Sequence, residues 1–397
     1  MVAVAPFRGL LFDPGVAGDL AAVTSPPYDV VLPHERDQLH RSSPYNIALV
    51  DIGADVEEAP LEKYTRAGRI LRDWQERRVL VPTDLPSVFP YEMAFGYRGE
   101  PRGVRGVLLE VGLEPLDHGG AILPHERTLP APVEDRLRLM KATAADLSPI
   151  YAVVGGPSDP QTELLERAAG RPPDRELTDE DGVAHRLWVE PLPEELRAWY
   201  RDQTLLIADG HHRYQTALAH RRERRAEEGP GPWDAVMMLV VDAATEAPPV
   251  LPIHRVLSLG SAEMPQLPGE RVHGLEEVLA RLVDDDLRFG AAFRTEAGLN
   301  HLVGRLQGPP PTVAALHREV LDGLEGVQEL RFVPDASLAE TEVREGHADL
   351  ALFLPPARVD YVREVAAEGG TLPQKSTFFW PKPRTGMVIR SMEGPTG

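Results

Sequence analysis

The chain has 397 residues, enough for two or three domains, and its 42% hydrophobic and 26% charged content is ordinary for a globular protein. Its 42 Lys and Arg stand against 62 Asp and Glu, and the net charge of −20 excludes the basic face of a general nucleic-acid or anionic-membrane binder. It has no cysteine, which removes disulfides, thiolate catalysis, zinc–thiolate sites and iron–sulfur clusters. No apolar run approaches the roughly 20 residues of a membrane helix, and the first residues lack a basic stretch followed by a long apolar one. A cytoplasmic protein with no nucleic-acid or membrane partner is expected. A small phosphorylated ligand stays open, because it needs only a local positive pocket.

Taken in order, the chain first shows Pro26-Pro27-Tyr28-Asp29, where two prolines hold the backbone extended and present Tyr28 and Asp29 on a stiff loop. Pro44-Tyr45-Asn46 then leads into the apolar run 47–50, which predicts a strand. Tyr64, Ala67, Ile70, Leu71 and Trp74 recur at helical spacing over 61–78. Residues 88–95 and 105–111 read as strands joined by a hairpin, the first placed toward a sheet edge by Pro90.

Next comes His125-Glu126-Arg127-Thr128, followed by a helix over 133–143. Leu137 and Met140 are expected inward, with Arg136, Arg138 and Lys141 outward. Positive charge clustered in an acidic protein suits a phosphate pocket, and it equally suits a surface helix with paired charges. Residues 148–154 and 184–189 read as strands, and 161–169 as a helix.

The central stretch is the apolar run 205–208, then Asp209-Gly210-His211-His212-Arg213-Tyr214, then a segment to Glu228 without Gly or Pro. This predicts strand, tight turn and helix, with polar groups on the first helical turn. A helix start offers unpaired N–H donors and positive potential to an anion, and Arg213 adds a planar fork of donors. Asp209 suits a base or a Mg2+ ligand, and His211 or His212 an acid, a base or a phosphate donor. An Asp before a helix is also an ordinary N-cap. Successive residues entering a helix diverge by about 100°, so one of the two histidines is expected to face the site.

Residues 235–242 read as a buried strand, and His254-Arg255 ends another apolar stretch. His125/Arg127, His212/Arg213 and His254/Arg255 thus form three His-Arg pairs, which invites the expectation that they converge. Helices are expected over 275–287, 313–324 and 359–368, and strands over 330–333 and 349–354, the pattern of a small α/β lobe. Lys375-Ser376-Thr377 lacks the upstream glycines of a phosphate-cradling loop but still offers a cation and two hydroxyls. No G-x-G-x-x-G follows a strand and no H-E-x-x-H occurs, against dinucleotide binding and zincin chemistry.

Seven segments in order resemble the family known as domain of unknown function 1015: PPYDV (26–30), PYN (44–46), HERTLP with EDRLRLMKA (125–142), LSPI (147–150), DGHHRY (209–214), LPIHR (251–255) and PQKSTFFWPK (373–382). The turn at 209–214 is also similar to that of the superfamily of the partitioning protein ParB and sulfiredoxin, whose Gly-x-His/Arg-Arg turn holds nucleotide phosphates. Sulfiredoxin chemistry would need a cysteine where this chain has His211. ParB-type DNA binding would need a helix-turn-helix and a basic surface. The free-serine kinase carries an Asp-Gly-His-x-Arg version of the turn, a likeness over about ten residues.

The resemblance implies an α/β (α+β) fold with a ParB/sulfiredoxin-like core and a second, smaller α/β lobe. Residues 1–260 would form the core, 261–370 the lobe, and 371–397 a segment returning to the core. The activity implied is phosphoryl transfer between a nucleotide or pyrophosphate and a small hydroxylated metabolite, with free serine as acceptor by analogy. A phosphatase acting on a phosphoserine-like substrate in the same pocket and a non-enzymatic nucleotide sensor are the alternatives.

In this reading Asp209, His212 and Glu126 are the catalytic candidates, with Asp209 also the position for Mg2+. Gly210, His211, Arg213, Arg127, Thr128, Arg136, Lys141, His254, Arg255, Lys375 and Ser376 would hold phosphate. Tyr28 would bind substrate, and Asp29 and Asn46 substrate or metal.

Overall fold

The computed structural model of the protein describes residues 1–54, 59, 61–116, 119–156, 158–260, 263–283, 285, 287–296, 298–373 and 375–393. The chain divides into two compact units. One is Met1–Pro124 with Thr128–Pro248 and Pro381–Gly397, and the other is His125–Arg127 with Pro249–Trp380. Both mix helix and sheet, as the alternation of apolar runs and helical periods predicts.

The first unit is built on nine strands. In chain order these are β1 (Val4–Ala5), β2 (Phe89–Tyr97), β3 (Glu100–Gly112), β4 (Ile122–Leu123), β5 (Ile150–Val154), β6 (Arg175–Thr178), β7 (Ala184–Leu187), β8 (Leu205–Asp209) and β9 (Ala235–Asp242). Their order across the sheet is β4-β8-β5-β9-β3-β2-β7-β6, with β1 alongside β3. The pairs β8–β4 and β9–β5 are parallel and the rest antiparallel. β9 sits between β5 and β3, and its unbroken run Val236 to Val241 is buried along its whole length, as a strand covered on both faces must be.

Helices α1 (Ala48–Asp51), α2 (Glu62–Glu76), α3 (Pro130–Thr143) and α4 (His211–Glu228) complete the frame of the site. α3 packs against both α2 and α4. At the α2–α3 crossing a methyl group on Gly68 would lie 2.1 Å from the carbonyl oxygen of Ala142, so this approach requires glycine. The C-terminal strand Ile389–Ser391 joins a small sheet with Gly9–Phe12, Leu80–Pro82 and Ala145–Asp146. There Arg390, 1% exposed, donates to Glu110 Oε1 (2.5 Å), Asp146 Oδ2 (3.0 Å) and the Pro232 carbonyl (2.6 Å).

The second unit carries β10 (His254–Ser258), β11 (Glu270–Val272), β12 (Arg288–Thr295), β13 (Gly298–Arg305), β14 (Glu329–Val333) and β15 (Leu350–Phe353). They form one antiparallel sheet in the order β11-β13-β12-β15-β10-β14. Helix α5 (Leu275–Leu282) connects the edge strand β11 to β12 across β13, and α6 (Ala336–Glu345) connects β14 to β15 across β10. Apolar residues of the sheet feed two separate core clusters.

The expected boundaries at 260 and 370 differ from the divisions at 248 and 380. Val250–Leu251 pairs with Phe378–Phe379, and β10 is an interior strand of the second sheet, so both flanks go with that unit. His125 joins them through its carbonyl, which accepts from Leu372 N–H at 2.7 Å.

Several local expectations are corrected. Residues 48–51 are helical rather than a strand, because Asn46 Oδ1 accepts the Ala48 N–H at 2.8 Å and turns the chain. β2 is an interior strand despite Pro90. The regular ladder with β7 starts at Tyr91, and beyond it the Pro90 carbonyl still accepts the Trp188 N–H at 3.0 Å while Val88 bridges Glu190, so only the single N–H that proline lacks is lost from this side. The helix expected over 313–324 is an α-turn at Thr312–Leu316 running into a π-helical turn at His317–Leu321. The helix expected over 275–287 ends at Leu282, and residues 284 and 286 lie outside the described residues. Arg136, expected outward on α3, is turned inward with 11% of its side chain exposed.

Candidate functional site

β8 ends with a register shift against β5 between Ile207 and Asp209, which places Asp209 opposite Tyr151 at the strand's carboxyl end. Gly210 follows with φ 96° and ψ 25°. Any side chain there would be strained, and its Cβ would also lie 3.1 Å from the Arg213 guanidinium. α4 then starts at His211, with no acidic residue in its first turn and, among the described residues, no side chain capping it. The positive end of its dipole lies at this turn.

Arg213 and Lys382 frame Asp209. Arg213 donates through Nη2 to Asp209 Oδ2 (2.6 Å) and through Nη1 to Ser148 Oγ (2.9 Å) and the Pro149 carbonyl. Lys382 Nζ donates to Asp209 Oδ1 (2.5 Å) and Asp29 Oδ2 (3.3 Å), with 7% of its side chain exposed. Burial works against the Lys382 charge, but Asp209 and Asp29 outweigh it and hold the ammonium above its ordinary pKa.

A second knot adjoins through Tyr28, whose ring lies 4.3 Å from the Arg136 guanidinium carbon. Burial, reinforced by Asp29, pushes the Tyr28 phenol up, so it stays neutral. Arg136 Nη1 donates to Asp51 Oδ1 (3.0 Å) and the Asp51 carbonyl (2.9 Å), and Nε and Nη2 to Asp135 Oδ2 (2.8 and 2.5 Å). Lys63 and the Tyr64 hydroxyl complete Asp135 at 3.2 and 2.7 Å. Burial opposes the Asp135 charge, yet Arg136 and the hydrogen bonds bring its pKa down to about 2. Asp51 goes the other way. Its burial pushes the carboxyl up against the pull of Arg136 and Arg213. Asp51, Arg136, Asp146, Ser148, Arg213 and Thr216, with Tyr28, form the polar wall of a cavity of about 40 Å³.

The donor set does not fit a resident Mg2+. Both Asp209 oxygens already accept from a cation, and Lys382 stands between the two carboxylates where a metal would. Among the described residues no three His, Asp or Glu side chains group as a metal set.

The other expected site residues divide between the units. In the first, His212 Nε2 accepts the Leu129 N–H at 3.1 Å, at the start of α3, and His211 is buried. Thr128 is half-buried beside that start. Lys141 pairs on the surface with Glu223 at 2.5 Å, the paired-charge alternative for α3. Asn46 is fully buried and its amide nitrogen donates to the Ala22 carbonyl, the Thr24 carbonyl and Ser42 Oγ, so its role is to shape the loop rather than to meet substrate.

In the second unit, His125 Nε2 bonds Thr377 Oγ1 at 2.8 Å and Arg127 Nε donates to Thr371 Oγ1 at 3.2 Å. Ser376 Oγ donates to the Pro373 carbonyl at 2.5 Å. Arg255, fully buried, donates to the carbonyls of Ile253 (2.7 Å) and Lys375 (3.0 Å), and Lys375 itself has φ 52°. Burial lowers the Arg255 pKa to about 10 against the opposing Glu126 carboxylate. His254 Nδ1 accepts the Leu354 N–H at 3.2 Å, and burial followed by Arg255 takes its pKa down to about 4. Of the three His-Arg pairs, His125/Arg127 and His254/Arg255 thus belong to one unit and His212/Arg213 to the other.

Four side chains escaped the sequence. Lys382 closes the quoted C-terminal motif and Ser148 lies inside LSPI, so each had a signal. Asp51 sat at the end of an apolar run read as a strand, and Asp135 looked like a surface charge.

The family described as Protein of unknown function (DUF1015) matches residues 4–267. No curated protein matches the chain. Similar solved structures include free serine kinase in complex with AMP, at 12% identity over 71% of this chain and 94% of that chain, with a TM-score of 0.38. A conserved hypothetical protein from Pyrococcus furiosus is similar at 12% identity, 70% and 98% coverage and a TM-score of 0.37. SbnI with C-terminal truncation from Staphylococcus aureus is similar at 11% identity, 69% and 84% coverage and a TM-score of 0.36.

Proposed function

The chain belongs to the family described as Protein of unknown function (DUF1015), and we propose that it binds a nucleotide or pyrophosphate at the start of α4 and transfers a phosphoryl group to a small hydroxylated acceptor. One observation carries the reading. The start of an 18-residue helix, without an acidic residue in its first turn, meets two largely buried cations, Arg213 and Lys382, at the carboxyl end of β8. Phosphate suits a helix N-terminus.

Phosphoryl transfer is chiefly a matter of holding the reactants in line and neutralising charge on the transferred group. The α4 N–H groups and Arg213 supply donors in fixed positions, because Ser148, Pro149 and Asp209 already lock the guanidinium. Lys382 supplies a compact charge beside it. Asp209, with both oxygens engaged, aligns the two cations rather than taking a proton. Any Mg2+ in the reaction is carried in by the nucleotide as part of the substrate complex. No described helix is long and apolar enough to cross a membrane, and the proposed ligand is a cytoplasmic metabolite.

The test is 31P NMR of the purified chain with ATP, ADP or pyrophosphate, Mg2+ and a panel of small alcohols that includes free serine. A new phosphomonoester resonance that disappears in Arg213→Lys supports the proposal. Absence of any transfer with every donor sinks it.

A further inference from the structure

Lys382 reaches Asp209 and Asp29 from a segment that has just entered the first unit, with Pro381 alone before it. Two residues on, Arg384 is 3% exposed. Its Nε donates to Thr24 Oγ1 (3.1 Å), Nη2 to the Thr24 carbonyl (3.2 Å) and Nη1 to Glu180 Oε2 (2.9 Å). The next residues exchange backbone bonds. Thr385 N–H donates to the Ser25 carbonyl at 2.9 Å, and Ser25 N–H to the Thr385 carbonyl at 3.2 Å. Residues 24–25 and 384–385 therefore form one clamp, although 360 positions separate them.

Both arms that leave the clamp toward the site are stiffened by proline. On one side Pro26 and Pro27 separate Ser25 from Tyr28 and Asp29, and on the other Pro381 and Pro383 flank Lys382. A proline fixes its own φ and keeps the residue before it extended, so the position of the clamp is carried to the tip of each arm. The tips meet where Lys382 Nζ donates to Asp29 Oδ2 at 3.3 Å. Behind the clamp the Arg384 N–H faces the Tyr91 hydroxyl at 3.4 Å, which donates to His185 Nδ1 (2.8 Å), and His185 Nε2 donates to Asp179 Oδ2 (2.9 Å). Burial holds the His185 imidazole below its ordinary pKa, so it stays neutral and this order of donors is set. Asp179 also stands 3.7 Å from Arg384 Nη1, so the buried guanidinium keeps opposite charge beside it.

We propose that Arg384 is a positioning residue of the site and acts through Lys382: by fastening the roots of both proline-stiffened arms, it holds the Lys382 ammonium against Asp29 and Asp209. The consequence for ligand binding rests on the phosphate reading above, because a cation displaced from the turn cannot meet a phosphate there. A purely structural role would stabilise the unit as a whole without setting where that ammonium sits.

The chain has four lysines, Lys63, Lys141, Lys375 and Lys382, so the ammonium can be read directly. The full chain is acetylated with trace N-hydroxysuccinimidyl acetate, and the rate at each lysine is followed by peptide mass spectrometry. Lys382, with 7% of its side chain exposed, should react slowly in the wild type. Thr24→Val keeps the shape of the side chain but removes the hydroxyl that accepts from Arg384 Nε. It should raise the Lys382 rate about tenfold, the equivalent of one lost charge-assisted hydrogen bond, while Lys63 in the adjoining knot keeps its rate. Arg384→Ala should do at least as much, and Thr24→Ser, which keeps the hydroxyl, should match the wild type. If Arg384→Ala does not fold, the two threonine variants decide.

An unchanged Lys382 rate in Thr24→Val, or a rate that rises equally at Lys63, overturns the positioning role. Calorimetric titration of the same proteins with ATP keeps the two claims apart. Binding lost in Thr24→Val and kept in Thr24→Ser supports the role, and wild-type affinity retained in Thr24→Val overturns it. No ATP binding in the wild type, with Lys382 still released by Thr24→Val, refutes the phosphate reading and leaves Arg384 as the residue that holds Lys382.

Discussion

Replacing Lys382 by methionine keeps the stem of the side chain and deletes the ammonium that separates Asp29 from Asp209. The two carboxylates are 22% and 16% exposed, so water screens them poorly. Breaking a buried ion pair by removing one partner costs about 3–5 kcal/mol, and the partial exposure of Asp29 places the expected loss near the lower end, about 3 kcal/mol. At roughly 2–4 °C per kcal/mol the melting temperature should fall by about 6–12 °C.

Asp29→Asn in the Lys382→Met background removes one of the two facing charges and should restore part of the loss at pH 7. Scanning calorimetry at that pH reads both effects. A loss below about 1 kcal/mol, or no rescue by Asp29→Asn, would refute the bridging role of Lys382.

Gly210→Ala should destabilise the chain by about 1–2 kcal/mol from its left-handed backbone and displace Arg213, so that phosphate binding falls more than the melting temperature alone explains. A neutral outcome on both would mean that the turn relaxes freely. His254 has a folded pKa of about 4 against an ordinary value of 6.5, so the unfolded chain takes up the proton first. Its contribution is intact above pH 6.5 and is lost as pH falls toward 4, by roughly 3 kcal/mol in all. His254→Asn can still accept the Leu354 N–H but does not titrate, and urea melts should show a shallower acid slope. Identical slopes would contradict a neutral buried imidazole.

Legibility followed the range of the interactions. β8, Gly210 and α4 were readable because the cause is local: an apolar run, an Asp-Gly turn, then eighteen residues without a breaker. The inward turn of Arg136 was not, since its partners Asp51 and Tyr28 lie far away in sequence and a lone arginine beside Leu137 looks like a surface position. Residues 47–50 misled because their apolar run fits either a strand or a buried helical turn, and only the side-chain bonds of Asn46 decide between them. Pro90 misled because its position relative to the β7 register, rather than its presence in a strand, decides whether an interior place is tolerated. Lys382 is 173 residues from Asp209, and no spacing rule links them. The same holds for the knot in the second unit, where Arg255 is tied to Lys375 across 120 residues.

The most direct measurement is calorimetric titration of the wild type and Arg213→Lys with ATP, ADP and pyrophosphate, with and without Mg2+. Lysine keeps the charge but cannot reproduce the fork that joins Ser148, Asp209 and a phosphate. The proposed site predicts wild-type binding to at least one of these ligands and a loss of about tenfold or more in the variant. Equal affinity in the two proteins, or no binding to any of the three ligands, would contradict a phosphate site at the start of α4.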